Sequence, residues 1–366
     1  MSPNVPEFGL VFSGGGARGA YEVGVAQYLA SQNLVPSAYA GASIGALNAV
    51  FLAGAPSFQD GVSRLEDIWQ SLRIEKIVKV NKQLVLFGLV HAAVKRGMLL
   101  HPELAVLDEA LALLTSRIKF MKDVRNISKI IAENPLLVKL QQGVLDNGYL
   151  RGLLEEELGT NELVDSSPIW VSAYPSKGAA RDILDYLFAG AGIRDTDESH
   201  YLLLNELHSD NRLPAILASA SIPGVYGHQM IDGQKYVDGG MGSAMSSRGN
   251  TPLTPLVQAG YRCCIVVHLS DGAMFNRHDF PDTTIIEVRP AESLHPGGML
   301  PSTFDFRPER IQTLIRQGYS DAQRCIGQAF QAISLVHAGK KAARLRNQSL
   351  EQMRNDGFDE AMKLLD

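Results

Sequence analysis

The chain has 366 residues, 45% of them apolar and 20% charged, with a net charge of −5. Those proportions describe an ordinary globular protein, long enough for one large domain or two small ones, and the acidic balance argues against nucleic acid as a partner. Three cysteines, Cys263, Cys264 and Cys325, are too few and wrongly spaced for a disulfide framework or a zinc site.

The start, MSPNVPEFGLVFSGGG, lacks the basic segment of a secretory signal and runs directly into the first predicted strand, FGLVF at 8–12. A glycine loop, GGGARGA, follows, and then YEVGVAQYLASQ, with apolar residues at helical spacing, ending near Asn33. SAYAGAS predicts a second short strand and IGALNAVFLAG a buried helix. Strand, turn and helix, twice over, open an α/β fold with a mostly parallel sheet. Residues 74–150 differ in character, helical and rich in lysine. From Lys76 to Lys139 there are eleven Lys or Arg against five Asp or Glu, a balance of +6 within a chain of −5. Such a stretch is either a solvated helical face or a cap whose basic surface meets anionic phospholipid head groups. Its longest apolar run, QLVLFGLVHAAV at 83–94, is twelve residues, short of the roughly 18–20 that span a membrane. The expectation is a cytoplasmic protein with peripheral membrane association, or one exported as an effector without a classical signal.

Further core strands are predicted at 168–175 (PIWVSAYP), 261–270 (YRCCIVVHLS) and 283–290 (TTIIEVRP), and the second of these makes Cys263 and Cys264 strand residues. Near the C-terminus Ile311, Ile315, Tyr319, Ala322, Ile326 and Phe330 share one face of a core-packing helix, and a polar helical tail follows His337.

Two glycine motifs bear on chemistry. GGGARG at 14–19 matches the dinucleotide fingerprint, but that site needs an acidic residue about 20 positions on. No Asp or Glu occurs between Glu22 and Asp60, and no lysine follows the glycines as a P-loop requires. An oxyanion hole fits better: glycines bring successive N–H groups toward a ligand, and the helix beginning near Arg18 adds its positive end. Arg18 either contributes charge or holds the loop. The second motif, GASIG at 41–45, has the spacing of a nucleophile elbow around Ser43. In a parallel sheet both turns fall at the carboxyl edge of the strands, where ligands bind.

A serine nucleophile needs a base. The nine histidines, His91, His101, His200, His208, His228, His268, His278, His295 and His337, sit in no recognisable constellation, although position alone leaves His268, His278 and His295 open. MIDGQKYVDGG reads as a hairpin whose second strand ends at Asp238, followed by Gly239 and Gly240. A carboxylate can take a serine proton directly if desolvation raises its pKa.

SGGGARGAY, GASIGALNA and YVDGG, in this order, resemble the patatin-like phospholipases. LPAILASASIPGVY before the hairpin and NTPLTPLVQAG after it are similar to that family too, so the resemblance runs from about residue 7 to 270. It implies a three-layer α/β/α sandwich with a central, mostly parallel sheet and a helical cap at about 74–150. In that arrangement 7–270 form the catalytic core, 271–335 complete it and 336–366 form the tail. It also implies a serine–aspartate dyad of Ser43 and Asp238, an oxyanion loop of Gly14, Gly15, Gly16 and Arg18, and an elbow flanked by Gly41 and Gly45. The implied activity is that of a lipid acyl hydrolase, a carboxylic ester hydrolase of phospholipase A or lysophospholipase type, with no cofactor and no metal. An acyltransferase would use the same acyl-enzyme, some family members are toxins or effectors awaiting an activator, and a catalytically inert binding module is the remaining alternative.

Overall fold

The computed structural model describes residues 7–72, 79–80, 145–146, 148–157, 163–178, 181–182, 185, 189, 194–223, 226–270, 274–296 and 302–355. The predicted cap at about 74–150 therefore lies outside the described residues, apart from the pairing of β3 (Lys79–Val80) with β4 (Leu145–Asp146) and the start of α4 (Gly148–Glu157).

The first two strand–turn–helix units form as their apolar patterns require. β1 (Gly9–Phe12) passes through the glycine loop and a 3-10 turn at Gly16–Gly19 into α1 (Ala20–Ser31). β2 (Ala38–Gly41) passes through the elbow into α2 (Ile44–Ala53). Both helices are apolar on nearly every side and both are buried, as such helices must be. α3 (Phe58–Ser71), which lies outside the sequence motifs, is amphipathic. Ser57 caps it, its Oγ accepting the Asp60 N–H at 3.1 Å, and Phe58, Val62, Leu65, Ile68 and Trp69 turn inward.

The other strands are β5 (Ile169–Pro175), β6 (His200–Leu203), β7 (Gln229–Ile231), β8 (Gln234–Asp238), β9 (Cys263–Val267) and β10 (Thr284–Val288). They join β1 and β2 in an eight-stranded sheet of order β10-β9-β1-β2-β5-β8-β7, with β6 also on β5. From β10 to β5 the pairing is parallel, and β6, β7 and β8 run antiparallel. Side chains alternate between two cores. Leu10, Phe12, Tyr39, Ile265 and Val267 face a large helical layer. Val11, Ala38, Ala40, Cys264 and Val266 face a thinner one with Leu253, Leu256 and Phe275. Leu256 belongs to α6 (Thr254–Gln258). The large layer includes α1 to α3, α5 (Ser209–Ser219) and the long α7 (Pro308–Asn355). Ile311, Ile315, Ala322 and Ile326 of the expected face of α7 are buried and Tyr319 is partly so, whereas the Phe330 side chain lies outside the described residues. From Ala342 to Gln352 the same helix is exposed throughout.

One feature of the pairing positions the site. Trp170 and Val171 of β5 pair with β2 on one side and β6 on the other, and Ala173 pairs with β6 and β8. A residue in a ladder has one partner on each edge, so β2 and β8 share the same edge of β5. They run toward each other along it: Gly41 stands opposite Val171, and Asp238 stands opposite Ala173, two residues further on. The hairpin turn at Asp232 and Gly233, with φ of 47° and 79°, returns β8 along that edge.

Candidate active site

Ser43 occupies the turn between β2 and α2 with φ 52° and ψ −125°, a conformation L residues rarely adopt outside functional turns. The turn is as tight as a G-x-S-x-G elbow demands. A side chain at Gly41 would collide with the backbone of Gly45 and Ala46, and one at Gly45 with the carbonyl of Phe12. Ala42 N–H donates to the Phe12 carbonyl at 3.2 Å, and Ala46 N–H to the Ser43 carbonyl at 3.0 Å. Ser43 is thus held at the positive end of α2 and is 8% exposed.

The end-to-end approach of β2 and β8 brings Asp238 to it. The Asp238 carboxylate lies within the influence of the Ser43 hydroxyl and, through Oδ1, accepts the Gly240 N–H at 2.8 Å. Burial pushes the Asp238 pKa up to about 6, and the Ser43 hydroxyl and the Gly240 N–H pull against that rise. Gly239 lies against the Ser172 carbonyl with no room for a side chain, which lets the backbone turn sharply beyond the aspartate. The titratable partner of Ser43 is therefore a carboxylate. Buried His268, the histidine nearest to the end of β9, has its Nε2 at 3.0 Å from Glu287 Oε2, and His200 Nδ1 lies 3.0 Å from the Tyr236 hydroxyl. His91, His101 and the side chain of His337 lie outside the described residues.

The glycine loop packs against Ser43, Gly14 lying next to its Cβ. Gly14 N–H donates to the Asn250 carbonyl at 3.1 Å, and Asn250 Nδ2 returns a bond of 3.4 Å to the Gly14 carbonyl. Gly14 thus anchors the loop, and its N–H is already engaged. No backbone acceptor faces the Gly15 or Gly16 N–H among the described residues. Gly16 adopts φ +58°, where a side chain would also collide with the Thr303 carbonyl. The two open readings of Arg18 separate here. Its guanidinium is buried, with Nε donating to the Gly15 carbonyl at 3.0 Å and Nη1 to the Leu269 carbonyl at 3.2 Å, so it binds the loop to the strand end beyond β9.

Several supporting residues escaped the motif reading. Asn250 places its Oδ1 against both Gly14 and Gly240, joining the loop to the aspartate turn. Ser13 Oγ and Thr251 Oγ1 are 2.9 Å apart. Beneath both turns, Asn48 Nδ2 donates to Glu22 Oε2 at 2.8 Å and to the Gly19 carbonyl at 3.1 Å, and Trp69 Nε1 donates to Asn48 Oδ1 at 2.9 Å. The fully buried Glu22 carboxyl also faces the Ser13 N–H, and desolvation pushes its pKa well above the ordinary range. Only the N-T-P segment carried a hint of Asn250, and nothing local marked Asn48 or Glu22, because their roles exist only once α1, α2 and α3 pack together.

Among the described residues no group of three or more His, Cys, Asp or Glu side chains is arranged to hold a metal ion, and no helix is long and apolar enough to cross a membrane. The three cysteines are free.

Residues 10–256 match the family model described as patatin-like phospholipase. No curated protein sequence matches the chain. Among solved structures, VipD from Legionella pneumophila is 15% identical with a TM-score of 0.41, the match covering 88% of this chain and 67% of that one. The type III effector protein ExoU is 16% identical with a TM-score of 0.35, covering 88% of this chain and 53% of that one. A complex of full-length SpcU with full-length ExoU from the type III secretion system of Pseudomonas aeruginosa gives 14% identity and a TM-score of 0.28, with 87% and 52% covered. The chain spans about half the length of ExoU.

Proposed function

The chain belongs to the patatin-like phospholipase family, whose members are lipid ester hydrolases, and we propose that it cleaves fatty-acyl esters of phospholipids or lysophospholipids through Ser43 and Asp238. The observation that carries this reading is the meeting of an elbow serine and a buried carboxylate where β2 and β8 converge on one edge of β5. A serine hydroxyl is a weak nucleophile until a neighbouring base takes its proton. With its pKa raised to about 6, Asp238 is largely ionised at neutral pH yet basic enough to accept that proton.

In the proposed sequence Ser43 Oγ attacks the ester carbonyl carbon while its proton passes to Asp238. The N–H groups of Gly15 and Gly16 receive the oxyanion of the tetrahedral intermediate, supported by the positive end of the following turn and helix, with Arg18 and Gly14 holding the loop. Removing one such donor costs about 10²–10³ in turnover. As the intermediate collapses, the bond from the carbonyl carbon to the alcohol oxygen breaks, and Asp238 returns its proton to that oxygen. The acyl group is left on Ser43. Water then attacks the acyl-enzyme, giving its proton to Asp238, and the fatty acid leaves as the proton returns to Ser43 Oγ.

The catalytic unit in this reading spans 7–270, completed by 271–335, with 336–366 outside it. Contact between the basic 76–139 stretch and an anionic membrane surface belongs to the same proposal. Fatty-acid release from mixed phosphatidylcholine and phosphatidylglycerol vesicles tests the reading. Ser43→Ala and Asp238→Asn should each abolish it, and full activity in the Asp238 variant would overturn the dyad.

A further inference from the structure

The segment Ala218-Ser219-Ala220-Ser221, which closes α5, touches the backbone of both halves of the proposed dyad. Ser219 has no exposed surface, and its Oγ accepts the Ser43 N–H at 3.0 Å. Two residues on, the Ser221 carbonyl accepts the Asp238 N–H at 2.9 Å. The Ser221 hydroxyl is engaged elsewhere, donating to the Leu217 carbonyl at 2.7 Å. A single short stretch of chain thus spans the gap at which β2 and β8 meet, with one hydrogen bond to each side.

The arrangement has a physical consequence at Ser43. Its φ of 52° and ψ of −125° lie outside the broad wells of an L residue, so that conformation persists only where its surroundings hold it. The carbonyl side is held by the first turn of α2, through the N–H groups of Ala46 and Leu47. On the amide side, the Ser43 N–H donates to Ser219 Oγ. The direction of Cα–Cβ follows from the backbone orientation, so a peptide plane free to turn through ψ of Ala42 and φ of Ser43 swings Oγ away from Asp238. A hydroxyl buried between Ala218 and Ala220 is also costly unless it is hydrogen-bonded, and its partner here is the amide of the nucleophile.

We propose that Ser219 is a positioning residue: its Oγ fixes the Ser43 amide, and with it the aim of the nucleophile, relative to an aspartate tied to the same segment. The inference rests on the reading of Ser43 and Asp238 as the dyad. It is tested on the full chain with p-nitrophenyl butyrate, a soluble ester that allows kcat and KM to be separated, alongside Ser43→Ala. Ser219→Ala should lower kcat by about tenfold to a hundredfold with KM within about twofold, because a displacement of the nucleophile affects the chemical step. Ser219→Thr, which keeps an acceptor oxygen, should recover most of the loss. A variant that simply loosened the fold would change kcat and KM together and would gain nothing from threonine. Should the alanine variant fail to fold, Ser219→Cys, of similar volume but with a weak sulfur acceptor, carries the same expectation. Wild-type kcat in Ser219→Ala, with Ser43→Ala inactive, overturns the positioning role and leaves the dyad standing. A threonine variant as impaired as the alanine one overturns it as well. Activity in Ser43→Ala instead overturns the dyad reading on which the inference depends.

Discussion

Replacing Asp238 by asparagine should stabilise the protein while abolishing its activity. Burial raises the carboxyl from its ordinary value of 3.8 to about 6. The sign follows from proton linkage. The folded state holds its proton more tightly than the unfolded chain does, so the contribution to stability is fully present below pH 4, falls as the pH rises from about 4 to about 6, and is flat above. A shift of about two units corresponds to about 3 kcal/mol of destabilisation at pH 8, and to about 1 kcal/mol at pH 4.5. Asparagine keeps an oxygen for the Gly240 N–H and an amide for Ser43 Oγ, and it carries no charge to desolvate. Urea denaturation of wild type and Asp238→Asn at pH 8 and pH 4.5 measures the difference. The variant should be more stable by about 3 kcal/mol at pH 8, with the gap narrowing to about 1 kcal/mol at pH 4.5. A variant equal to or weaker than wild type at pH 8 would refute the picture of a carboxylate held in a dry site against its own desolvation cost.

Other consequences are open to direct measurement. Because the base acts in its ionised form, kcat/KM for p-nitrophenyl butyrate should rise with pH through about 6 and level off above it, and a limb set by a histidine would move on replacing that histidine but not Asp238. Gly16→Ala should lower kcat by about 10²–10³, since φ +58° and the nearby Thr303 carbonyl leave no place for a methyl group without moving the loop N–H groups. His268→Gln keeps a polar contact to Glu287 and should leave hydrolysis within about threefold of wild type, whereas loss of two orders of magnitude or more would restore a histidine to the mechanism.

Much of the fold could be read in the sequence because its signals are local. The apolar runs at 9–12, 38–41, 169–175, 263–267 and 284–288 are short, bounded by turn residues and buried on both faces, and all became strands of the sheet. The Asp-Gly turn of the hairpin needs positive φ at both positions and has it. β6 escaped because HYLL is four residues of edge strand, half exposed, with too little pattern to separate it from a loop. The site divides in the same way. Ser43, the glycines and Asp238 sit in motifs whose residue types are forced by backbone geometry. The juxtaposition of Ser43 with Asp238 depends on both β2 and β8 pairing with one edge of β5, a long-range register that no local pattern encodes. Asn250, Asn48, Glu22 and Ser219 act through hydrogen bonds between elements far apart in sequence, so their types alone suggested nothing beyond a polar residue in a turn or a helix.

The central claim is that Ser43 is a nucleophile activated by Asp238, and covalent labelling tests it most directly. A fluorophosphonate ester reacts with a serine only when a base draws off the proton and an oxyanion site receives the phosphoryl oxygen. Incubation of the full chain with an alkyl fluorophosphonate, followed by peptide mass spectrometry, should yield one adduct, on Ser43, in wild type and none in Asp238→Asn. An adduct on another serine, or full labelling of Ser43 in the asparagine variant, would contradict the account.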